Sequence, residues 1–323
     1  MRFSKTPLRV SLFGGGTDNP NYFKQARGSV TGFTINQFIW IYASKIMVNQ
    51  GFKFRLGYKK NEDVLSAEDI KHPLFREILL DHPNQPSSHF TTMSTLPSGA
   101  GLGSSSSFTV GLLALLNEDK FVQSKASLAN EAIRYERDVL GESGGWQDQL
   151  HAAYGGINTF EFDNDGWKRK PIDMKQSNLQ ILSDSLYIVY TGMLRSASNI
   201  EESKLSTSDN DNLLSETYAL ALEGEKALCQ DTLSLSEIGN LLNTGWELKR
   251  GLAQSVSTSH IDEVYRQILS TGAYGAKLCG AGGGGFFLVL AESDSVEQLR
   301  EVIGKDKIMK VDIFYSGVEV GFL

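Results

Sequence analysis

A glycine-rich stretch followed by an apolar run, Leu96–Asn117, constrains this chain more than any other part of its sequence. Glycine recurs at Gly99, Gly101 and Gly103, and residues without a Cβ allow a tight turn and a close approach to a ligand. The serines Ser104–Ser107 then stand where the apolar spacing predicts that a helix begins, and they can cap it. Free backbone N–H groups and the helix dipole at such a start favour an anion, most often a phosphate.

Two familiar glycine loops do not fit this stretch. The P-loop requires a lysine directly before its last serine or threonine, but here Gly103 is followed by serine. The dinucleotide pattern G-x-G-x-x-G fails because its last glycine would fall on Ser104 or Ser106. A plain serine-capped helix after a flexible turn stays open as an alternative at this point.

The composition is that of an ordinary globular protein, with 41% hydrophobic and 21% charged residues in a chain of 323, long enough for two domains. The formal charge of -7 argues against nucleic acid and membrane surfaces as partners, because both select basic faces. Two cysteines, Cys229 and Cys279, and a start without an apolar signal segment predict a cytoplasmic location. No apolar run approaches the roughly 20 residues that span a bilayer.

Two aspartates stand at informative positions. Asp18 follows a strand-like segment and the turn Gly14–Gly16, where its carboxylate suits a pair of sugar hydroxyls or closes an Asx turn. Asp148 lies in the first turns of a short predicted helix that begins after Gly144 and Gly145. It either complements the helix dipole or acts on a ligand.

A glutamate falls inside an apolar stripe. A helix is predicted over Ser127–Leu140, and Glu136 lies near the middle of the face that its apolar residues form. A buried carboxylate requires a metal ion, a cation or hydrogen-bond donors. The alternative is a structural ion pair with Arg134 or Arg137, although both arginines point away from the stripe.

The second half of the chain is predicted to form an α+β domain. Ile181–Tyr190 is predicted as one strand, helices follow, and strands near the C-terminus complete the domain. Gly280, Gly282 and Gly285 match G-x-G-x-x-G, but they open into the strand Phe286–Leu290 and not into a helix. We expect these glycines to let the backbone lie flat against a ligand or against the first domain.

Together, three glycine segments resemble the three motifs of the galactokinase, homoserine kinase, mevalonate kinase and phosphomevalonate kinase family, abbreviated GHMP. The segments are Pro7–Asp18, Pro97–Ser107 and Lys277–Gly285, and their separation covers nearly the whole chain. The resemblance implies a two-domain α+β architecture. An N-terminal α/β domain, residues 1–175, would carry the phosphate loop, and residues 176–323 would form a ferredoxin-like α+β domain.

The resemblance also implies ATP and Mg2+ as cofactors. Ser105 and Glu136 would hold the metal, and Asp148 would be the catalytic base or an orienting group. Arg9 matches a basic position of the family and would steady Asp148 or the transferred group. The spacing from Glu136 to Asp148 is one residue longer than in mevalonate kinases. The residues that would bind ATP are Pro97, Gly99, Gly101, Leu102, Gly103, Ser104, Ser105 and Ser106.

The first motif indicates the substrate class. Thr-Asp after the glycine turn is typical of the family's sugar kinases, so Thr17 and Asp18 are expected to bind the sugar, together with Gly282 and Gly283. The sequences of residues 14–18 and 144–149 look most like those of the kinases that phosphorylate the anomeric hydroxyl of D-glycero-D-manno-heptose 7-phosphate. Arg195 is expected to bind the phosphate that this sugar already carries. A kinase for an unphosphorylated hexose of the galactose, fucose or mannose type and a non-catalytic sugar sensor remain alternatives. Either a monomer or a homodimer is expected.

Overall fold

The computed structural model describes residues 1–48, 50–117, 124–194 and 210–323, and within these ranges it contains two β-sheets surrounded by helices. The strands are β1 Arg2–Phe13, β2 Gly28–Lys45, β3 Phe54–Gly57, β4 Asn61–Val64, β5 Ser88–Ser94, β6 Ile157–Asp163, β7 Gly166–Pro171, β8 Leu186–Tyr190, β9 Gly275–Leu278, β10 Phe286–Leu290, β11 Ile308–Lys310 and β12 Glu319–Phe322. The α-helices are α1 Pro20–Phe23, α2 Pro73–Leu80, α3 Ser104–Leu116, α4 Lys125–Arg134, α5 Gln147–Tyr154, α6 Gln176–Asp184, α7 Asn210–Leu228, α8 Leu235–Gly251, α9 Ser259–Ser270 and α10 Ser293–Ile303.

The first sheet is built around β2, which is one strand of 18 residues. Its order is β12-β1-β2-β5-β3-β4, and β6 pairs with both β2 and β7. The first half of β2 pairs with β6 and the second half with β5, while β1 lies along its other side with two register shifts. β2 is therefore the strand that connects β1 with both β5 and β6.

The second sheet is antiparallel in the order β11-β8-β10-β9, with helices inserted between β8 and β9 and between β10 and β11. This order confirms the ferredoxin-like arrangement. Two expectations were wrong. The predicted strand Ile181–Tyr190 begins as the end of α6, which buries Asn178 and Leu182 one turn apart, and only β8 is extended. The last strand, β12, pairs with β1 and therefore joins the first sheet.

The helix α3 lies in the middle of the core. Every residue from Ser106 to Leu115 is buried, so α3 is covered on all sides and not only on the single face that its spacing predicts. It packs on β1 and β2 so closely that a Cβ on Gly111 would lie 2.5 Å from the Thr6 hydroxyl oxygen. This contact brings the start of α3 beside Arg9, whose backbone N–H donates to the Leu102 carbonyl at 3.0 Å.

None of the helices in the described part of the chain has the length and apolar character needed to cross a membrane.

Candidate active site

The three glycine segments meet around a cleft of about 490 Å³. The second and third segments touch backbone to backbone: Phe286 N–H donates to the Ala100 carbonyl at 3.3 Å. A Cβ on Gly101 would lie 2.5 Å from the Cys279 carbonyl oxygen, and one on Gly280 would lie 2.3 Å from the Gly101 Cα. No side chain fits between these two segments. The expectation that the third segment lies against the first domain is confirmed.

The turn before α3 leaves the start of this helix uncapped. Gly99, Gly101 and Gly103 have φ of +76°, +82° and +74°, a region that strongly favours glycine. Gly103 occupies the N-cap position and no side chain caps the helix, so the expectation of a serine cap was wrong. The first N–H groups of α3 therefore lack a capping partner, and Ser104–Ser106 line the cleft. This arrangement suits an anion.

Arg9 connects Asp148 to the glycine turn. Its Nε and Nη2 donate to the two carboxylate oxygens of Asp148, both at 2.7 Å, and its Nη1 donates to the Gly101 carbonyl at 2.6 Å. Burial opposes the charge of Arg9, but the contact with Asp148 raises the pKa of the guanidinium above its ordinary value. The bidentate pair fixes the carboxylate in both position and orientation relative to the turn.

Asp18 supports the helix that carries Asp148. One carboxylate oxygen of Asp18 accepts from Gly16 N–H at 3.0 Å, and the other accepts from Gln147 N–H, also at 3.0 Å. Asp18 thus closes its own turn and caps α5, which has no cap from its own N-terminal residue. A Cβ on Gly145 would lie 1.9 Å from this carboxylate, which explains the glycine there. Burial raises the pKa of Asp18, and the two backbone hydrogen bonds oppose that rise.

Glu136 is a buried carboxylate, 1% exposed, that also lines the cleft. Its Oε2 accepts from the Ser106 hydroxyl at 2.8 Å and from the Gln149 side-chain amide at 2.5 Å. Its Oε1 is buried and has no hydrogen-bond partner among the residues that the structure describes. Burial raises the pKa of Glu136 to about 7, and the nearby Glu142 contributes to the rise. An orphaned carboxylate oxygen beside a phosphate-type loop fits a cation.

The alternative of a structural ion pair for Glu136 was wrong. Arg134 pairs with Glu131 at 3.1 Å, on the outer side of the helix. Arg137 donates to the backbone carbonyls of Glu142 and Gly145, at 2.5 and 2.6 Å. Neither arginine forms an ion pair with Glu136 in the described part of the chain, and the charge of Arg137 only opposes part of the rise in the pKa of Glu136.

A π-helical turn, Tyr135–Val139, follows α4 and contains Glu136. The Leu140 N–H donates to the Tyr135 carbonyl five residues earlier, at 3.0 Å. Such a turn holds one residue more than an α-helical turn. The turn that carries Glu136 is therefore wider than a regular α-helical turn.

Most of the residues predicted for the site line the cleft. They are Arg9, Asp18, Gly99, Gly101, Gly103, Ser104, Ser105, Ser106, Glu136, Asp148 and Gly282.

Other predicted residues lie behind this lining or beside it. Thr17 is buried, and its hydroxyl donates to the Gly14 and Ser29 carbonyls. Leu102 is buried in the core, Pro97 is exposed, and Gly283 N–H donates to the Val256 carbonyl at 2.8 Å. Arg195 lies outside the described residues.

Several residues of the lining were missed by the sequence analysis. They include Arg137, Glu142, Gln147, Lys249 and Lys277. A signal was available for Lys249, because it continues the buried face of α8 that Ile238, Leu242 and Gly245 form at helical spacing. The same reasoning singled out Glu136. Lys277 begins the third glycine segment itself.

Sequence models of the GHMP kinase N-terminal and C-terminal domains match residues 72–156 and 225–307. The chain is similar to the D-glycero-alpha-D-manno-heptose 7-phosphate kinase of Campylobacter jejuni, with 29% identity over 320 residues that cover 94% of this chain and 93% of that protein. It is also similar to the galactokinase of Pyrococcus furiosus, with 26% identity over 67% of each chain.

The fold agrees with these similarities. The crystal structure of a D-glycero-D-manno-heptose 1-phosphate kinase from Bacteroides thetaiotaomicron covers 100% of this chain with a TM-score of 0.79 at 23% identity, and 99% of that chain is matched. Family members use ATP as the phosphate donor. With three glycine segments around one cleft, two matching domains and full-length relatives, the chain belongs to the GHMP kinase family.

Proposed function

We propose that this protein is an ATP-dependent sugar kinase that phosphorylates the anomeric hydroxyl of D-glycero-D-manno-heptose 7-phosphate, giving the 1,7-bisphosphate. The observation that carries the proposal is the link from Asp148 through Arg9 to Gly101, which holds a carboxylate at a fixed place beside a phosphate-type turn. The full-length similarity to the Campylobacter jejuni enzyme supports the choice of sugar.

The nucleotide side of the cleft is the start of α3. Its uncapped N–H groups would bind the ATP phosphates, since the glycine turn lets the backbone approach them. Glu136, with its orphaned oxygen, and the exposed Ser105 would hold Mg2+. No cluster of three His, Cys, Asp or Glu side chains occurs among the described residues, which suits Mg2+ bound by a carboxylate and substrate phosphates. When bound, Mg2+ supplies charge neutralisation for the transferred group.

The acceptor side of the cleft is organised by Asp148. Its carboxylate would accept the proton of the anomeric hydroxyl as the bond to phosphorus forms. Arg9 orients both oxygens of this carboxylate. Its hydrogen bond to the Gly101 carbonyl also fixes their position relative to the phosphate turn. Phosphoryl transfer depends chiefly on such positioning, because its transition state is loose.

An assay of ADP release with Mg-ATP tests the proposal. We expect the highest kcat/KM with D-glycero-D-manno-heptose 7-phosphate in a panel that also contains mannose, fucose, galactose and mevalonate. A higher value with an unphosphorylated hexose would replace the proposed substrate. No sugar-dependent ADP release with any sugar would favour a sugar sensor. The variant Asp148→Asn serves as the blank for contaminating kinases.

A further inference from the structure

The first turn of α5 holds three parts of the cleft through three consecutive residues. Gln147 donates to the Asp18 carboxylate from its backbone N–H at 3.0 Å and from its side-chain amide at 3.1 Å. Asp148, the next residue, is paired with the guanidinium that β1 carries. Gln149 follows, and its side-chain amide donates to Glu136 Oε2 at 2.5 Å. The sugar side, the proton acceptor and the proposed metal ligand are thus tied to one helical turn.

Gln149 lies behind the lining of the cleft. The two residues before it, Gln147 and Asp148, belong to the lining, whereas Gln149 is 0% exposed. Its Oε1 is buried and has no hydrogen-bond partner in the part of the chain that the structure describes. A buried acceptor without a partner costs about 1–3 kcal/mol. An apolar side chain of the same length would therefore serve packing at least as well, and the amide requires another explanation.

The amide contacts one oxygen of Glu136 and leaves the other open. Ser106, on α3, also donates to Oε2, at 2.8 Å, whereas Oε1 has no hydrogen-bond partner among the described residues. The last torsion of a glutamate side chain has only broad preferences of its own, so its donors decide which way the carboxylate turns. Two donors from two helices therefore fix Oε2 and leave Oε1 for a cation.

We propose that Gln149 is a positioning residue of the magnesium site. It holds Oε2 of Glu136 in place, so that Oε1 stays available to the metal, and it joins the metal ligand to the helix that carries Asp148. The inference rests on the proposed function, because it names the residue that orients the proposed ligand. As a buried residue behind the lining, Gln149 would itself touch neither the metal nor the sugar.

The competing explanation is that Gln149 only packs the core beside α5. A packing role predicts that replacing the amide changes the free energy of unfolding and leaves the metal affinity unchanged. A positioning role predicts weaker metal binding even in a protein that is fully folded. Metal affinity measured without turnover separates the two explanations, since no catalytic step takes part in it.

The experiment measures the dissociation constant of Mn2+, used in place of Mg2+, for the enzyme saturated with a non-hydrolysable ATP analogue. Electron paramagnetic resonance of the free ion gives this constant. Gln149→Met keeps the length of the side chain and removes the amide. We expect it to raise the constant by about 10- to 100-fold, as for other groups that orient a metal ligand. In the Glu136→Gln background the same substitution should add little, because Gln149 acts through Glu136.

Two other glutamines serve as matched controls. Gln180, on α6, is exposed and donates from its side-chain amide to Asp184 at 2.9 Å, so Gln180→Met should leave the Mn2+ affinity unchanged. Gln147→Met removes the amide contact with Asp18 from the same turn of α5, and it should also leave the Mn2+ affinity unchanged. A loss in Gln147→Met as large as that in Gln149→Met would mean a general disturbance of α5 and would overturn the inference.

Thermal melting of each variant completes the test. If Gln149→Met melts below the assay temperature, Gln149→Asn replaces it, because a side chain one methylene shorter keeps an amide but loses the reach to Glu136. An unchanged Mn2+ affinity in a folded Gln149 variant would overturn this inference and leave the proposed function standing. An unchanged affinity in Glu136→Gln as well would overturn the metal role of Glu136. A wild-type protein that binds Mn2+ through Glu136 but shows no sugar-dependent ADP release would overturn the proposed function and not the positioning.

Discussion

Asp148 and Glu136, two of the carboxylates that line the cleft, are held in opposite ways. Asp148 has a side chain that is 24% exposed, and both of its oxygens are paired with Arg9. Glu136 is 1% exposed and accepts from neutral groups, the Ser106 hydroxyl and the Gln149 amide. One oxygen of Glu136 has no partner among the described residues.

This difference indicates that the two carboxylates have different roles. The charge of Asp148 is balanced within the protein, so the carboxylate is ready and oriented before any ligand arrives. Glu136 has no ion-pair partner among the described residues, and burial makes its ionised form costly until a cation is present. The first arrangement suits a proton acceptor, and the second suits a metal ligand.

The largest expected effect comes from neutralising the paired carboxylate. Asp148→Asn keeps the shape and removes the proton acceptor, so kcat should fall by about 100- to 10,000-fold while ATP affinity changes little. Steady-state kinetics and ATP titration on the same preparation measure both quantities. Asp138→Asn, at an exposed site on the π-helical turn, is the control and should keep its kcat.

Stability must be followed in the same variant. Asp148→Asn leaves the guanidinium of Arg9 buried without its counter-ion, so the melting temperature should fall as well. Assays well below that temperature separate the two effects. A near-normal kcat would remove Asp148 from the catalytic group and return it to the role of a residue that complements the helix dipole.

The environment of Glu136 should be visible in the pH dependence of the free energy of unfolding. Its pKa is about 7 in the folded protein against an ordinary value of 4.5, so the folded state binds more protons than the unfolded state between these values. Stability without metal should therefore fall as pH rises from about 4.5 to 7, by at most roughly 3 kcal/mol from this group. Urea unfolding in EDTA over this range measures the slope, and Glu136→Gln should flatten it. Identical slopes in both proteins would contradict the environment described for Glu136.

The same variant tests the metal. Glu136→Gln should raise the Mg2+ concentration for half-maximal activity by at least about tenfold, since even residues that only support a metal ligand commonly have effects of that size. Glu142→Gln is the matched control, because Glu142 is exposed and lines the same cleft. If Glu142→Gln raised the requirement and Glu136→Gln did not, the metal ligand would be Glu142.

Local patterns predicted much of the fold, and non-local pairing was the part they missed. Long periodic helices such as α7, α8 and α9 were predicted because their apolar spacing repeats over several turns. The change from α6 to β8 was missed because only Ser185 separates them, with no glycine or proline at the junction. The pairing of β12 with β1 depends on partners more than 300 residues apart, which no local pattern shows.

For the site, too, local features were predicted from the sequence and contacts between distant residues were not. The apolar stripe predicted the burial of Glu136. Helical spacing among apolar residues is enough for this prediction, and the partner of the carboxylate does not have to be known. The Arg9–Asp148 contact joins residues far apart in the chain and followed only from the resemblance. The serine cap was wrong because Gly103, in the left-handed region, takes the N-cap position. That position sets which serine faces Glu136, since successive residues differ by about 100° around a helix.

The smallest expected effects are those of substitutions at two neighbouring serines beside Glu136. Ser106 is buried and donates to Glu136, whereas Ser105 is exposed at the cleft. Ser106→Ala should therefore cost about 1 kcal/mol of unfolding free energy through the lost hydrogen bond. Ser105→Ala should change stability by less than about 0.5 kcal/mol and raise the Mg2+ requirement. Chemical unfolding and Mg2+ titration of both variants give the four numbers. A raised Mg2+ requirement in Ser106→Ala alone would transfer the metal contact from Ser105 to Ser106, and it would mean that the hydroxyl already bonded to Glu136 turns toward the cation when one is bound.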